Sequence, residues 1–356
     1  MQTKYVPILK WKAGEQNCLK KLSPTVSNAI IPFIEVSTPS ESAKDEDAEK
    51  KYSKLIHSFN SILPEKPFYL YLTENWYNDL DDANKIPETY KIFLEDIDHP
   101  QAIPAFELTD ELNISNAPNL RNENGICLRI SINSFEHLGE ILEQYRNNSW
   151  ITPENTDLLI DLKYIDKEIY PKKAALATVL TDISDLTDYR NVIIASCSFP
   201  KDVSTLQSNI VNEFPRHENE MHNICLKLQQ ALSFHYIYSD YGPANLYDTP
   251  FIRGMIPNFK IKYSTPDKYL VVKGFSLKNG GLDFDNVSNC CKLLMTHPQY
   301  SGASFSYGDQ VIADTADRKI KKSGNLTNWV GYSFNHHITL IASILCKRLI
   351  KQCLSV

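Results

Sequence analysis

Short apolar runs recur along the chain at intervals of roughly 25–40 residues, the repeat of a β-strand followed by a helix. The first is 5–10 (YVPILK). Then come 29–36 (AIIPFIEV), 67–73 (PFYLYLT), 102–108 (AIPAFEL), 125–132 (GICLRISI), 157–163 (DLLIDLK), 191–198 (NVIIASCS) and 234–240 (FHYIYSD). These runs are too short for buried helices, and most are rich in Ile, Val, Leu and aromatics. Near-continuous apolar character is that of parallel strands covered by helices. Between them lie helical patterns such as GEQNCLKKL, KKYSKLIHSFNSIL, SFEHLGEILEQYRNN and NEMHNICLKLQQAL. Leu138, Ile141 and Leu142 have the i, i+3, i+4 spacing of one buried helix face. Eight such units predict an α/β fold, a closed (β/α)8 TIM-like barrel spanning 1–356 as one domain. The competitor is an open doubly wound sheet, but the first turn reads KWKAGE and holds no G-x-G-x-x-G.

After the eighth run the pattern breaks. FKIKYSTPDKYLVVK surrounds a Pro-Asp turn and predicts a β-hairpin, and DFDNVSNCCKLLMTH a helix. A Gly- and Ser-rich stretch follows, and HHITLIASILCKRLIKQC has the period of the last barrel helix. Residues 245–330 are therefore expected to be an insertion in the final β-to-α connection. The charged tract SESAKDEDAEKK at 40–51 reads as a solvated loop or helix start.

Composition narrows the setting. The 356 residues carry a formal charge of −6, so no basic excess advertises nucleic acid or an anionic membrane. No segment reaches the ~20 apolar residues of a bilayer span, and no signal-peptide core opens the chain, so a cytoplasmic location is expected. The eight cysteines contain no C-x-x-C or C-x-x-H pattern. Free buried thiols are expected, and a structural zinc site is not.

Charges at the C-terminal ends of barrel strands are costly unless used or paired. Here Lys10 closes the first strand, Glu35 the second and Glu107 the fourth; Arg129 lies in the fifth, and Asp161 and Lys163 share one face of the sixth. Ser196 and Ser198 share a face of the seventh, and Tyr238 and Asp240 a face of the eighth. In the sixth strand Leu158, Ile160 and Leu162 form the opposite, apolar face, so Leu159, Asp161 and Lys163 are expected to point at the barrel axis. Lys10, Glu35, Glu107, Arg129, Asp161 and Lys163 are thus expected to converge at one mouth. Glu35, Glu107 and Asp161 suit acid and base roles, and Lys10 or Lys163 a Schiff base. The carboxylates suit a hard divalent ion such as magnesium, while Arg129 and Lys163 suit an oxyanion clamp. No local motif selects among these, so neither a metal nor a cofactor is assigned. An inert, self-neutralising charge cage is the alternative; convergence from most strands favours a ligand site.

The histidines in helix- or loop-like segments, His57, His99, His137, His217 and His222, read as surface or capping groups, and His235 can face either side of its strand. His336 and His337 are adjacent on a helix and point about 100° apart, so they cannot share a metal.

The opening YVPILKWKAGEQNCLKKL with IIPFIEV, and the closing SGASFSYGDQVIADTA with GNLTNWVGYSFNHHITL, resemble the two ends of the "Beta" family of phage- and prophage-borne proteins. The matching positions are Lys10, Gly14, Glu15 and Glu35 at the start and Gly308, Asp309, Trp329, Asn335, His336 and His337 at the end, with Lys12 the weaker match of the two opening lysines. The resemblance implies a role in phage exclusion or defence with a protein partner encoded nearby, and it transfers no reaction. Glu15 in a first helical turn also has an ordinary reading, since a carboxylate suits the positive end of the helix dipole. Gly308-Asp309 fits a tight turn or a helix start, with Asp309 reaching the mouth as the sharper alternative.

Three functions follow. The first is an enzyme of phage defence acting on or binding a small anionic or nucleotide-like ligand, with Lys10, Glu35, Glu107, Asp161 and Lys163 as its catalytic set and Arg129, Ser196, Ser198, Tyr238, Asp240, Asp309 and His336 as its ligand contacts. The second is a non-catalytic sensor or adaptor whose insertion, with exposed Phe251, Tyr263 and Tyr307, meets a partner. The third, a nucleic-acid binder using ADRKIKKSG at 316–324, has the least support, because a solvated loop explains that tract.

Overall fold

Eight parallel strands close into a ring in the order in which the chain forms them, the last pairing with the first. The computed structural model describes residues 5–38, 45–76, 85–108, 123–132, 136–147, 151–246, 254 and 256–353. The strands are β1 (Tyr5–Lys10), β2 (Phe33–Val36), β3 (Phe68–Leu72), β4 (Ala102–Glu107), β5 (Ile126–Ser131), β6 (Thr156–Tyr164), β7 (Asn191–Cys197) and β9 (Tyr236–Asp240). The ring closes where β9 pairs with β1, Tyr5 opposite Tyr238 and Pro7 opposite Asp240. Helices follow most strands: α1 (Ala13–Lys20), α2 (Pro24–Ser27), α3 (Asp45–Ile62), α4 (Lys85–Ile97), α5 (Leu138–Asn147), α6 (Ile169–Asp182) and α7 (Glu218–Leu232). The fold is the α/β, TIM-like barrel expected from the spacing of apolar runs.

Alternation along each strand divides the core in two. Val6, Phe33, Tyr69, Ile103, Cys127, Leu159, Ile193 and Ile237 fill the barrel interior. Ile34, Leu70, Phe106, Leu128, Leu158, Ile160, Leu162, Ile194 and Tyr238 pack under the helices. Each fully buried aliphatic side chain contributes on the order of 1.5–3 kcal/mol, which is why β-branched and Leu residues fill both faces. At the N-terminal end of the barrel, buried Asp157 accepts from Arg190 Nε (2.9 Å) and Nη2 (2.6 Å), Asn191 (2.7 Å) and the Tyr69 hydroxyl (2.8 Å). That fully bonded carboxylate stoppers the end opposite the mouth.

Between β9 and the last helix the chain builds a cap. The hairpin β10 (Asn258–Ser264) and β11 (Lys268–Ser276) turns at Thr265–Lys268, where Thr265 N–H donates to the Lys268 carbonyl at 2.7 Å. The hairpin is not alone. A further strand, β8 (Val211–Pro215) from the β7–α7 connection, pairs antiparallel with β11 and makes a three-stranded sheet. Two helices, α8 (Phe284–Met295) and α9 (Tyr307–Ala316), cover one face of it, and α10 (Leu326–Cys353) starts ten residues ahead of the His-His pair. Phe259, Ile261, Tyr263, Leu270 and Val272 meet α8, α9 and Trp329. On the other face Tyr269 and Val271 join the barrel interior. The sheet is thus a lid with one side in each core.

Tyr263, expected on the surface, is fully buried because it belongs to the helix-covered face. Tyr307 is exposed, and Phe251 lies outside the described residues. Cys18, Cys127, Cys197, Cys225, Cys290 and Cys291 are free and buried.

The closing motif explains itself as packing. Ser306 caps α9 by accepting from Asp309 N–H, so Gly308-Asp309 is a helix start. Gly308 N–H donates to Asn335 Oδ1 (3.1 Å), and a Cβ at Gly308 would stand 2.3 Å from the Tyr332 carbonyl oxygen. We expect Gly308→Ala to push α9 off α10 and to cost about 1–3 kcal/mol. A urea titration reads this as a lowered midpoint at unchanged slope; an unmoved midpoint would show that the two helices yield without penalty.

Candidate functional site at the barrel mouth

Arg129 organises the mouth. It projects inward from β5 at the register position opposite Glu107. Its Nε and Nη2 donate to one Asp161 oxygen at 3.1 and 2.7 Å, and its Nη1 to Glu35 at 2.8 Å. Nη2 also donates to the Tyr241 hydroxyl (2.7 Å), which in turn donates to Asp161. The guanidinium lies over the Tyr71 and Phe33 rings, 4.9 and 5.5 Å from their centroids. Tyr71 donates to Glu107 at 3.1 Å. Burial opposes the charge on Arg129, but Tyr241, Asp161 and Glu35 outweigh it and hold the group well above its usual range. Burial would likewise raise the Asp161 carboxyl; Arg129 and Lys163 overcome it and bring it down to about 2.

Lys163 reaches Asp161 because β6 is irregular there. Its pairing with β7 slips between Asp161 and Tyr164, and Lys163 sits at φ 55°. Its backbone N–H donates to Asp161 Oδ1 (2.9 Å), and its Nζ stands 3.1 Å from Oδ2. Glu35, Glu107, Arg129 and Lys163, with Asp166, Lys172 and Lys201, line a cleft of about 610 Å³.

A second chamber of about 320 Å³ adjoins it, sharing Glu35 and Tyr241. Lys10, opposite Glu35 in register, lines this chamber with Lys12, Gly14 and Glu15 of the α1 start, Lys262 of the cap and Val330 of α10. Gly14 permits the close approach: a Cβ there would meet Val330 at 2.9 Å. Burial pushes the Glu15 carboxyl up to about 7, against the pull of its own backbone N–H and of Lys12, Lys10 and Lys262. Burial, with neighbouring Lys260, brings the Lys262 amine down to about 8, against Glu15. Neighbouring groups of opposite sign, each displaced toward neutrality inside a cleft, have the profile of a functional site. The six mouth residues named from strand ends are therefore brought together: Lys10 lines the smaller chamber, Glu107, Arg129 and Lys163 the larger, Glu35 both, and Asp161 lies buried beneath them. Lys262 and Glu15 are the members that strand-end reasoning did not include. The alternation in FKIKY was the signal for Lys262, since it sends Lys260 and Lys262 to the side opposite Phe259, Ile261 and Tyr263.

Other expected contacts lie elsewhere. Ser196, Ser198, Tyr238 and Asp240 are on the helix-facing side of β7, its following turn and β9, because Ala195, Cys197 and Ile237 occupy the interior. Ser198 N–H and hydroxyl donate to Glu218, which also accepts from Tyr269. Asp240 accepts from Tyr5 (2.6 Å), Tyr238 (2.9 Å), Gly242 N–H (3.1 Å) and His337 Nε2 (3.0 Å), with Arg216 at 3.7 Å. Asp240, unlike an isolated buried acid, is held well below the carboxylate range: burial would raise it, and His337 and Arg216 dominate. Burial pushes His337 down, against the pull of Asp240; its Nε2 meets Asp240 and its Nδ1 the Ser264 hydroxyl (2.7 Å). Ser264, His337 and Asp240 have the composition of a hydrolytic triad but are sealed from solvent, so they act as a pin. Asp309 and His336 are also sealed: Nδ1 meets Asp309 at 2.7 Å, Nε2 the Ser264 carbonyl at 2.7 Å, and the ring stacks on Tyr263 at 3.7 Å.

In the basic tract Arg318 pairs with Asp285, and Lys319 with Asp317 (2.9 Å), which dilutes its charge. Among the described residues no group of three or more His, Cys, Asp or Glu side chains is arranged to hold a metal ion, and no helix is long and apolar enough to cross a membrane.

A closed (β/α)8 barrel with a lid sheet and a two-chambered, charged mouth is the class that this geometry defines. The family model described as Beta protein matches residues 5–343, and the chain belongs to the Beta protein family. No curated protein and no solved structure matches it.

The depressed Asp161 carboxyl makes stability pH-dependent with a definite sign. A group lower in the folded than in the unfolded chain, where Asp titrates near ~4, stabilises fully above that value and loses its contribution as pH falls through about 2. Acid unfolding should therefore be shallower between about pH 4 and 2 in Asp161→Asn, which should also be less stable at pH 7. An acid limb identical to that of the unaltered chain would contradict the pairing.

Proposed function

We propose that the barrel mouth binds and acts on a small anionic molecule bearing phosphate or carboxylate, in the phage-exclusion role that the family resemblance implies. The observation that carries this reading is a local reversal of charge. In a chain of net charge −6, the described residues lining the two chambers and Asp161 beneath them comprise seven cations against five carboxylates. A charged cleft with apolar walls concentrates an ion of opposite sign. Arg129 is already committed to Asp161 and Glu35, so it serves as the rigid floor that sets the geometry of both carboxylates. Lys10, Lys163, Lys172 and Lys201 are the cations at the rim, and Glu35, shared by both chambers, is placed to exchange a proton with a ligand in either.

A second reading is favoured by the apolar residues at the lid: Ile210, Ile256 and Phe275 are each more than two-fifths exposed. Here the ligand-loaded barrel signals to a protein partner seated on the lid, and no chemistry occurs.

Thermal shift against a library of anionic metabolites tests the binding claim. A ligand at a hundredfold excess over its dissociation constant adds roughly 2.7 kcal/mol, on the order of 2–4 °C for a domain this size. We expect at least one such shift, lost in the Lys10→Ala, Lys163→Ala double variant, and loss of phage exclusion in the same variant. Turnover of that ligand supports the enzyme; binding without turnover, with a co-purifying partner, supports the sensor. A library that shifts the double variant as much as the unaltered chain contradicts both.

A further inference from the structure

Lys262 is a charge in search of a counter-ion. It lies on the barrel-facing side of β10, opposite Val271 in register, and overhangs the smaller chamber. Its Nζ stands 4.8 Å from the centroid of the Phe199 ring. Among the described residues it makes no hydrogen bond and no ion pair within 4 Å. Glu15 is close enough to be felt electrostatically but does not bond to it. The neighbouring charges are Lys10 from β1, Lys12 and Glu15 from α1, Glu35 from β2 and Lys260 from β10. Three lysines thus line one small cavity, and a desolvated ammonium without a partner is unfavourable unless an anion completes the site.

The backbone adds to this attraction. The first turn of α1 lines the same cavity, and its N-cap residue, Lys12, supplies no side-chain cap. The first N–H groups of a helix have no intrahelical acceptor and carry partial positive charge, so they suit an oxyanion; in α1 the Glu15 N–H meets its own carboxyl, and those of Ala13 and Gly14 are the ones offered to a ligand. Gly14 lines the cavity while its open side lies against Thr327 and Val330 of α10. Glu15, raised to about 7 by burial, can hold a proton at neutral pH and donate it as a hydrogen bond to an anionic oxygen.

We infer that the chamber between the α1 N-terminus, Lys10, Lys12 and Lys262 is a binding site for the phosphate group of a small phosphomonoester, whose remaining part extends past Glu35 and Tyr241 into the Arg129 cleft. This rests on the anionic-ligand reading of the mouth and names its substrate class. Lys262 and Lys12 balance the dianion, and the α1 N–H groups fix its orientation. The cavity of about 320 Å³ has room for a phosphate and a few attached atoms, while the wider cleft takes the polar remainder. Lys262 is a binding residue here and reaches the site only because the lid sheet is folded over the barrel.

Isothermal titration of the full chain with inorganic phosphate at pH 7.5 tests the site. The unaltered chain should bind, Lys262→Met should weaken binding at least tenfold, and Lys12→Met, at an exposed position, should weaken it several-fold. Lys319→Met, in the basic tract remote from the mouth, serves as the control and should bind as the unaltered chain does. Removing an uncompensated ammonium should also leave the melting temperature of Lys262→Met equal or higher. Phosphate affinity unchanged in both mouth variants overturns the proposal. A melting temperature that falls sharply in Lys262→Met, with affinity intact in Lys12→Met, also overturns it, because the lysine is then a structural partner. Loss on Lys163→Met with none on Lys262→Met puts the anion in the Arg129 cleft, which sinks this site and spares the mouth. No phosphate binding alongside a metabolite shift likewise sinks the subsite alone, whereas failure of both experiments sinks the mouth as well.

Discussion

The buried carboxylate of Asp240 is the contact on which the architecture hangs. It sits at the seam where β9 meets β1, and Tyr5 from β1 donates to it across that seam. His337 ties it to α10, and through the Ser264 hydroxyl to the lid hairpin; Arg216, at the end of β8, approaches from a third side. One residue earlier on α10, His336 holds Asp309 of α9 and the Ser264 backbone. Adjacent side chains on a helix diverge by about 100°, so the His-His pair grips barrel and lid at once. A buried ion is tolerated only when its bonding capacity is filled, and breaking such a cluster costs about 3–5 kcal/mol. The lid is therefore fixed to the barrel, and Lys262 is held over the mouth.

Much of the barrel was legible because its determinants are local. Apolar runs at βα spacing need no knowledge of distant residues, and in β6 the contrast between Leu158-Ile160-Leu162 and Leu159-Asp161-Lys163 states which side faces the axis. In β7 and β9 that contrast fails. NVIIASCS is apolar or small on both faces and HYIYSD is mixed on both, so Ser196, Ser198, Tyr238 and Asp240 carry no local sign of lying under the helices. β8 was hidden for another reason: VNEFP is short and mixed, and it is a strand only because β11, more than fifty residues later, offers an edge. Long-range pairing leaves little trace in a window of ten residues. Lys262 stood in a readable alternation, yet the barrel it faces could not be inferred from the hairpin alone.

The motif residues at the two chain ends divide along the same line. Gly308, Asp309, Trp329, Asn335, His336 and His337 lie in the packing of the lid on α10, whereas Lys10, Glu15 and Glu35 line the smaller chamber. Gly14 belongs to both, since it lets α1 touch α10 and also lines that chamber. The closing residues position the lid; the opening residues present charge to whatever enters.

The most direct test of this account is crystallographic. A crystal grown with tungstate, a heavy tetrahedral dianion of phosphate shape, should show an anomalous peak in the smaller chamber within hydrogen-bond reach of Lys262 and the first α1 N–H groups. Peaks confined to the outer surface, with that chamber empty and Lys262 bonded to a protein carboxylate, would contradict it.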